Sequence, residues 1–362
     1  MPRTTKSAGL TRKQAVSAQP KPSAFEHSIE FPVIRGIQAG REFYTAQVPI
    51  RLLRKLFTFD PSSLPPLERS QRLISHTRVK KISSYILDNP QTYVFGALVV
   101  MIDGDIEFTE STLHPDMGML RTPMESVFHV VDGQHRLEGI KRAALDAPDL
   151  SEETIPVVIF LDSGIKRRSQ VFLDLNQHPS KPSKSVVGAF DHRDTVAEAV
   201  RALIKNYEFY RLFTTIDAAT ISAKSEFLFT FAALREASAL LCAQILDESM
   251  HSAAIAQFWS VLLDQQSTWR AVWSGDLSAS ELRADGDIST LSISTSAIAL
   301  ALGWAMQSKG ETWAEAIDLS RVNWNRSNPD FEGMILMSGH VVKNRDAIKR
   351  LANYVYEQIN VQ

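Results

Sequence analysis

The feature that most constrains the fold of this chain is an abrupt corner at residues 128–138, where the sequence reads FHVVDGQHRLE. An apolar run ends at Val131, and the residues after Gly133 show the spacing of an amphipathic helix. Gly133 permits the backbone angles that such a corner demands. The sequence therefore predicts a buried strand that turns directly into a helix.

The side chains at this corner favour the binding of an anion. The free N–H groups at the start of the helix, from Gln134 onward, and its positive dipole end attract negative charge. Arg136 can bind two phosphate oxygens, and His135 can donate a hydrogen bond or carry a proton near neutral pH. Asp132 can accept a proton, coordinate Mg²⁺ or cap the helix. The sequence predicts a phosphate- or nucleotide-binding corner, although Asp–Gly before a helix is also ordinary capping chemistry.

The composition limits the remaining possibilities. A chain of 362 residues with 44% hydrophobic residues is long enough for two globular domains. The net charge of −2 and the pI near 6.5 exclude a globally basic nucleic-acid binder, so a DNA-binding surface must be a local patch. The single cysteine, Cys242, excludes an intrachain disulfide and a multi-cysteine zinc site. The lone Cys242 is expected to be buried, and a reduced cytoplasmic location is expected. No membrane partner is expected, since no apolar run reaches about 18 residues.

The pattern along the chain predicts an α+β protein with three parts. Residues 1–25 form a basic tail without acidic residues, either a flexible segment or an arm that touches phosphates. Residues 26–190 alternate short strands and helices, which predicts an α/β domain with a mixed sheet. Residues 191–362 are mostly helical in pattern.

The sequence predicts three connections between strands of the α/β domain. Residues 29–37 and 41–50 predict two strands joined by a turn at Gln38–Gly40. The apolar run that ends at Asp103 predicts a hairpin with the segment DIEFTES after Gly104. The strands FHVVDG and TIPVVIFLD, with a helix between them, suggest a crossover of the βαβ kind.

At this point a family resemblance becomes specific. VVDGQHRLEGI resembles the signature of the DGQHR-domain family, whose best-known members are DndB-type proteins of bacterial DNA phosphorothioate modification systems. RVKKISSYILDNP, IPVVIFLD, RRSQVFLDLNQHPSKPSKS and FDHRD match flanking blocks, so the resemblance covers roughly residues 40–240 strongly. The family is similar in its core to the ParB/sulfiredoxin-like fold, where a corresponding corner binds nucleotide phosphates. The resemblance therefore implies a ParB-like N-terminal domain followed by an α-helical domain.

The matching blocks carry further polar side chains. Amides at the end of a helix can hold a phosphate oxygen or read a base edge, and lysines add positive charge. The residues predicted to bind phosphate or nucleotide are Gly133, Gln134, His135, Arg136, Arg78, Asn176 and Gln177. The residues predicted to contact DNA are Lys80, Lys81, Arg167, Arg168, Lys181 and Lys184. Asp191 and Arg193 are predicted to support the site, and every one of these side chains can equally be an ordinary solvated group.

Three functions stay open on the sequence. The resemblance implies a protein that binds double-stranded DNA and regulates the modification operon, beside other DNA sulfur-modification proteins. The second is a nucleotide-hydrolysing protein or DNA nickase, in which Asp132, His135 and Arg136 are catalytic and ATP or another nucleotide binds with Mg²⁺. The third is an interaction subunit with a purely structural corner. No resident metal site is predicted, since the sequence has no HExxH motif and no HxH pair with nearby carboxylates. The sequence also has no P-loop, so any NTPase activity would not be of the Walker type, and it has no nucleophile elbow. A homo-oligomer is left open.

Overall fold

The computed structural model describes residues 27–57, 74–177 and 181–359. The described residues divide into two units at residues 178–180, and each unit has its own hydrophobic core. The α+β class is confirmed, and the division comes before the predicted boundary at residue 190. The predicted basic tail at residues 1–25 lies outside the described residues.

The first unit is built on a seven-stranded mixed sheet of order β4-β5-β1-β2-β7-β3-β6. The strands are β1 (Ser28–Gln38), β2 (Arg41–Pro49), β3 (Leu98–Asp103), β4 (Glu107–Glu110), β5 (Met117–Pro123), β6 (Val127–Asp132) and β7 (Thr154–Leu161). The helices are α1 (Ile50–Leu56), α2 (His76–Asp88), α3 (Gln134–Asp146) and α4 (Ile165–Gln177). All of the predicted strands and helices around the corner are present.

The pairing of the strands confirms one of the predicted connections and overturns another. β1 and β2 form the predicted antiparallel hairpin. The predicted hairpin of β3 with β4 is wrong, because β4 pairs with β5. Only three residues join β3 to β4, which can span at most about 15 Å, whereas five strand spacings in a flat sheet are about 24 Å. The sheet must therefore curl, and the side chain of Thr122 on β5 donates a hydrogen bond to the carbonyl of Asp105.

The predicted βαβ crossover is also wrong. β6 and β7 both flank β3, but β6 is antiparallel to β3 and β7 is parallel to it. The two strands joined by α3 therefore run in opposite directions. As a result, the carboxyl end of β6 lies at the edge of the sheet where β3 and β7 begin.

Helices cover the two faces of this sheet unequally. The main core lies between one face and α1, α2 and α3, and it includes Val100, Val130 and Leu137. A small second cluster on the other face packs Met101 and Val131 against α4. Successive side chains of β3 and β6 therefore pack alternately against the helices on the two faces of the sheet.

Helices α2 and α3 pack against each other at a glycine. A Cβ at Gly139 would lie 2.4 Å from Cγ2 of Ile82, a distance that real Cβ atoms do not show. The apolar stripe of α2 buries Val79 and Ile86, as its spacing predicts. Gly139 therefore sets how close α2 can lie to the corner.

The second unit is helical, with strands of only two residues in its described part. Its helices are α5 (Lys184–Phe190), α6 (Thr195–Asn206), α7 (Glu208–Phe213), α8 (Phe231–Cys242), α9 (His251–Gln265), α10 (Ser267–Ser274), α11 (Ala279–Ala284), α12 (Ser292–Lys309) and α13 (Arg345–Ile359). Its strands are β8 (Thr214–Thr215), β9 (Phe229–Thr230), β10 (Leu336–Met337) and β11 (His340–Val341). The short connections among the helices agree with the helical pattern of the sequence.

The core of the second unit surrounds α12, which packs against α8 and α13. Small residues in α12, including Ala297 and Ala301, are fully buried and let its neighbours approach closely. Cys242 is buried as predicted, and burial raises the pKa of its thiol to about 11. Among the described residues, no helix is both long and apolar enough to cross a membrane.

Candidate functional site at the β6–α3 corner

The corner has the backbone that the sequence predicts. Val130 and Val131 are buried, β6 ends at Asp132, and α3 begins at Gln134. Gly133 has a φ of 96°, in the left-handed region, and a Cβ at this position would lie 2.5 Å from Cδ2 of Leu98. Glycine is therefore required here for both backbone conformation and space. Among the residues that the structure describes, no side chain caps the first N–H groups of α3.

A cavity of about 150 Å³ opens at this corner. Its lining residues are Arg78, Asp132, Gly133, Gln134, His135, Arg136, Phe172 and Asn176. Three helices thus supply side chains to one site. The structure brings together all of the predicted phosphate-binding residues except Gln177, which is exposed at the end of α4.

The size of the cavity limits what it can hold. A volume of 150 Å³ corresponds to roughly five water molecules in the liquid. Pockets that enclose a drug-sized ligand measure about 300–1,000 Å³. The enclosed part of this open cavity is therefore closer in size to a phosphate group than to a whole nucleotide.

Arg136 is held by the protein itself. Its Nη1 donates to the carbonyls of Gly96 and Ala97, at 2.7 and 3.1 Å, and its Nη2 pairs with Oδ2 of Asp132. The side chain keeps 24% of its surface exposed, so the guanidinium still borders the cavity. The two-oxygen grip on phosphate predicted for Arg136 is therefore not preformed. The donors of its Nη1 instead fix the corner to the residues just before β3.

His135 has a defined protonation state. Its Nε2 accepts a hydrogen bond from the backbone N–H of Ser75, at 3.0 Å, so that nitrogen carries no proton. Burial and the nearby Arg78 guanidinium both lower the pKa of His135. A neutral imidazole near pH 7 can still donate from Nδ1. The predicted role of His135 as a proton carrier near neutral pH is disfavoured, whereas the role of a hydrogen-bond donor is retained.

Gln134 contributes an acceptor that the protein does not satisfy. Gln134 is only 6% exposed, and its Oε1 accepts no hydrogen bond from the described residues. A buried amide oxygen without a donor costs about 1–3 kcal/mol. A bound water, hydroxyl or amino group would remove this cost, so the corner offers one acceptor beside its cationic groups.

The other basic residues predicted to contact DNA do not line the cavity. Lys80 and Lys81 are exposed on α2, close in sequence to Arg78. Arg167 lines a different cavity, and Nε of Arg168 lies 3.3 Å from Oδ2 of Asp162. Both arginines are at the start of α4, about 13 Å along the helix from Asn176. Arg167 and Arg168 are therefore not part of the corner.

The remaining predicted residues belong to the second unit. Lys181 is exposed, and Lys184 lines a cavity of about 610 Å³ with Lys343, Arg345 and Lys349. Asp191 and Arg193 lie between α5 and α6, where Oδ1 of Asp191 accepts a hydrogen bond from the backbone N–H of Arg193. Their predicted support of the corner stays a prediction.

Two groups of residues were missed at the sequence level. Phe172 forms one wall of the cavity, and only its helical spacing from Asn176 on α4 could have indicated this. Asp103, His129 and Asp162 bring possible metal-ligating atoms within 4.8 Å of one another. The available signal was a pair of aspartates that directly follow apolar strands, together with one histidine inside an apolar strand.

The fold and the corner define a two-unit α+β protein with a phosphate-sized cationic site at a strand-to-helix turn. Residues 31–362 match the DndB family, described as DNA-sulfur modification-associated. The chain belongs to the DndB family and is therefore associated with DNA sulfur modification. No curated protein and no solved structure matches the chain, so the ParB/sulfiredoxin-like core stays a prediction.

Proposed function

We propose that this protein binds double-stranded DNA and regulates the operon of the DNA sulfur-modification system. The observation that carries the proposal is the phosphate-sized cavity at the corner, in a chain of the DndB family. Two guanidinium groups, Arg78 and Arg136, and one carboxylate, Asp132, border this cavity, so its net charge is positive with His135 neutral. A backbone phosphate of DNA fits both its charge and its size.

The surface beside the cavity extends this site into a local basic patch. Lys81 is exposed on α2 three residues after Arg78, so the two are neighbours on the helix surface, and Lys80 is exposed on the same helix. Such a patch can bind several phosphates although the whole chain is slightly acidic. Phosphate contacts of this kind position the protein on the duplex, and other side chains must supply any selectivity for an operator sequence.

The alternative of a nucleotide-hydrolysing nickase has weaker support. The carboxylate of Asp132 is paired with Arg136 rather than free for Mg²⁺, and the enclosed part of the cavity is closer in size to a phosphate than to a nucleotide. ATP or another nucleotide and Mg²⁺ therefore stay predictions, as does catalysis by Asp132, His135 and Arg136. Other sulfur-modification proteins are further proposed partners, and self-association stays open.

The test is a titration of the full chain with a duplex from the operon's upstream region at several salt concentrations. Arg78→Ala is expected to weaken binding and to lower the slope of log K against log salt by about 1, because one phosphate contact is lost. Arg142→Ala is the matched control, since Arg142 is exposed on α3 outside the cavity.

Two results would overturn the proposed function, and a third would remove the corner from it. One is an affinity that is equal for upstream and unrelated duplexes, which would exclude a regulator of that operon. The other is phosphate release from ATP that Asp132→Ala and Arg136→Ala abolish, which would assign the corner to hydrolysis. Equal salt slopes for the wild type and Arg78→Ala would exclude the corner as the phosphate contact.

A further inference from the structure

Three strands of the first unit converge on a second polar cluster. β3 and β7 are parallel neighbours, so Asp103 at the end of β3 and Asp162 directly after β7 reach the same edge of the sheet. β6 is antiparallel to β3, and its pairing puts His129 opposite Met101 at that edge. One ligand atom from each of Asp103, His129 and Asp162 lies within 4.8 Å of the other two.

The distances are close to those of a metal site. Nε2 of His129 is 3.9 Å from Oδ2 of Asp162 and 4.0 Å from Oδ2 of Asp103. Ligand bonds of about 2.1 Å place neighbouring ligand atoms about 3.0 Å apart in an octahedral site and about 3.4 Å apart in a tetrahedral one. Each of the two measured distances would have to shorten by about 1 Å or less, and the exposed side chain of Asp103 is free to move by that amount.

An unsatisfied oxygen points to a missing ligand at this cluster. The side chain of Asp162 is 3% exposed, and its Oδ1 accepts the backbone N–H of Gly164 at 2.8 Å. Its Oδ2, which faces His129, is buried and accepts no hydrogen bond among the described residues. Nε of Arg168 lies 3.3 Å away but is likewise without a hydrogen bond. A buried carboxylate oxygen is normally hydrogen-bonded, paired closely or bound to a metal.

A positively charged neighbour would compete with a metal ion at this cluster. Arg168 is the competing cation, because it stands beside the same Oδ2 that a metal would use.

We propose that Asp103, His129 and Asp162 bind one divalent transition-metal ion, Zn²⁺ or Mn²⁺. One imidazole and two carboxylates suit these ions better than Mg²⁺ or Ca²⁺, which prefer oxygen ligands alone. Water completes the coordination on the exposed side of Asp103. Arg168 supplies the positive charge for Asp162 in the metal-free protein and gives way to the ion. This site is separate from the corner and does not depend on the proposed DNA binding.

The test is calorimetric titration of the chelator-treated full chain with ZnCl₂ and MnCl₂, with MgCl₂ as the comparison. One ion per chain is expected, bound more tightly than Mg²⁺. Asp103→Asn, His129→Gln and Asp162→Asn should each weaken binding by at least about tenfold. Arg168→Gln should tighten binding, because the competing charge is gone. Asp105→Asn and His114→Gln are the matched controls, since both residues are exposed and lie outside the cluster.

Several outcomes would overturn this site. No stoichiometric binding of Zn²⁺ or Mn²⁺ to the wild type would exclude it. Binding that His114→Gln reduces and His129→Gln does not would assign the ion to an exposed histidine elsewhere. Asp103 is 68% exposed, so Asp103→Asn is expected to fold even if the change at the buried Asp162 prevents folding. Unchanged affinity in folded Asp103→Asn would remove Asp103 as a ligand and with it the proposed set.

Discussion

The two ends of β6 differ in how the protein stabilises a nearby carboxylate. At Asp132 the carboxylate is paired with Arg136, whose other donors bind the carbonyls of Gly96 and Ala97. Three residues earlier, about 10 Å along the strand, His129 faces a buried oxygen of Asp162 that accepts no hydrogen bond among the described residues. One end therefore satisfies its carboxylate with a hydrogen-bonded arginine, whereas at the other end Arg168 lies 3.3 Å from Oδ2 of Asp162 without a hydrogen bond and leaves that acceptor open.

This difference indicates how a bound ligand would affect the stability of the protein at each end. A group that binds at the corner meets side chains already held in place, so it loses little free energy in ordering them. An ion at the other end would satisfy a buried charge and would stabilise the fold directly. The following predictions test this contrast, from the largest expected effect on stability to the smallest.

Gly133→Ala should have the largest effect. The left-handed backbone and the contact with Leu98 together are expected to lower the free energy of unfolding by about 2–4 kcal/mol. Gly164→Ala is the matched control, because Gly164 has a similar φ of 98° but nothing within 4 Å of an added Cβ. Its loss should be about 1–2 kcal/mol, in urea unfolding followed by circular dichroism. Equal losses would show that Leu98 does not oppose a side chain here.

Arg168→Gln should have the next largest effect in the metal-free protein. It leaves the nearly buried carboxylate of Asp162 without its cation, which is expected to cost about 2–3 kcal/mol of unfolding free energy. Arg167→Gln, a change to the neighbouring residue that lines a different cavity, should cost less than about 1 kcal/mol. Zn²⁺ should restore the melting temperature of Arg168→Gln. A stability equal to that of Arg167→Gln would mean that water already satisfies Asp162.

The pH dependence should separate the corner from the rest of the unit. The pKa of His135 is lowered in the folded protein, so the unfolded chain binds more protons below its ordinary value of 6.5. The contribution of His135 to the unfolding free energy is therefore fully present above pH 6.5 and is lost as the pH falls toward the pKa of the folded state. His135→Gln keeps an acceptor for the N–H of Ser75 but does not titrate, so unfolding at pH 7.5 and 5.5 should differ less than in the wild type. The same difference in both proteins would contradict this interpretation.

Gln134→Met should have the smallest effect on stability. It removes a buried amide oxygen that accepts no hydrogen bond from the described residues, at nearly constant volume. The unfolding free energy, measured in urea, is expected to change by less than about 1 kcal/mol. A large loss of stability would instead reveal that Gln134 is satisfied by an ordered water within the fold.

Local pattern predicted the elements of the fold but not how they pair. The apolar spacing of α2 and the strand-to-helix turn at Gly133 depend on neighbours in sequence, and both are present. The pairing of β4 with β5 depends on the curl of the whole sheet, which the Asp103–Gly104 turn does not encode. A short turn between two apolar segments therefore favoured a hairpin that the tertiary structure replaces.

The same limit explains the outcome at the candidate site. The motif placed Asp132, Gln134, His135 and Arg136 together because they are consecutive or nearly so in the chain. That Arg136 binds two carbonyls depends on the path of the residues before β3, about forty positions earlier. Asp103, His129 and Asp162 come from three strands, and only the order of those strands in the sheet brings them together.

The contact between Gly139 and Ile82 has a consequence for the corner. α2 carries Arg78 and α3 carries Arg136, and the separation of their axes is governed by the missing methyl group at position 139. The distance between the two guanidinium groups therefore depends on the buried contact of Gly139 with Ile82, which lies about one helical turn from each arginine. Selection on that gap would act on a residue that no bound molecule ever touches.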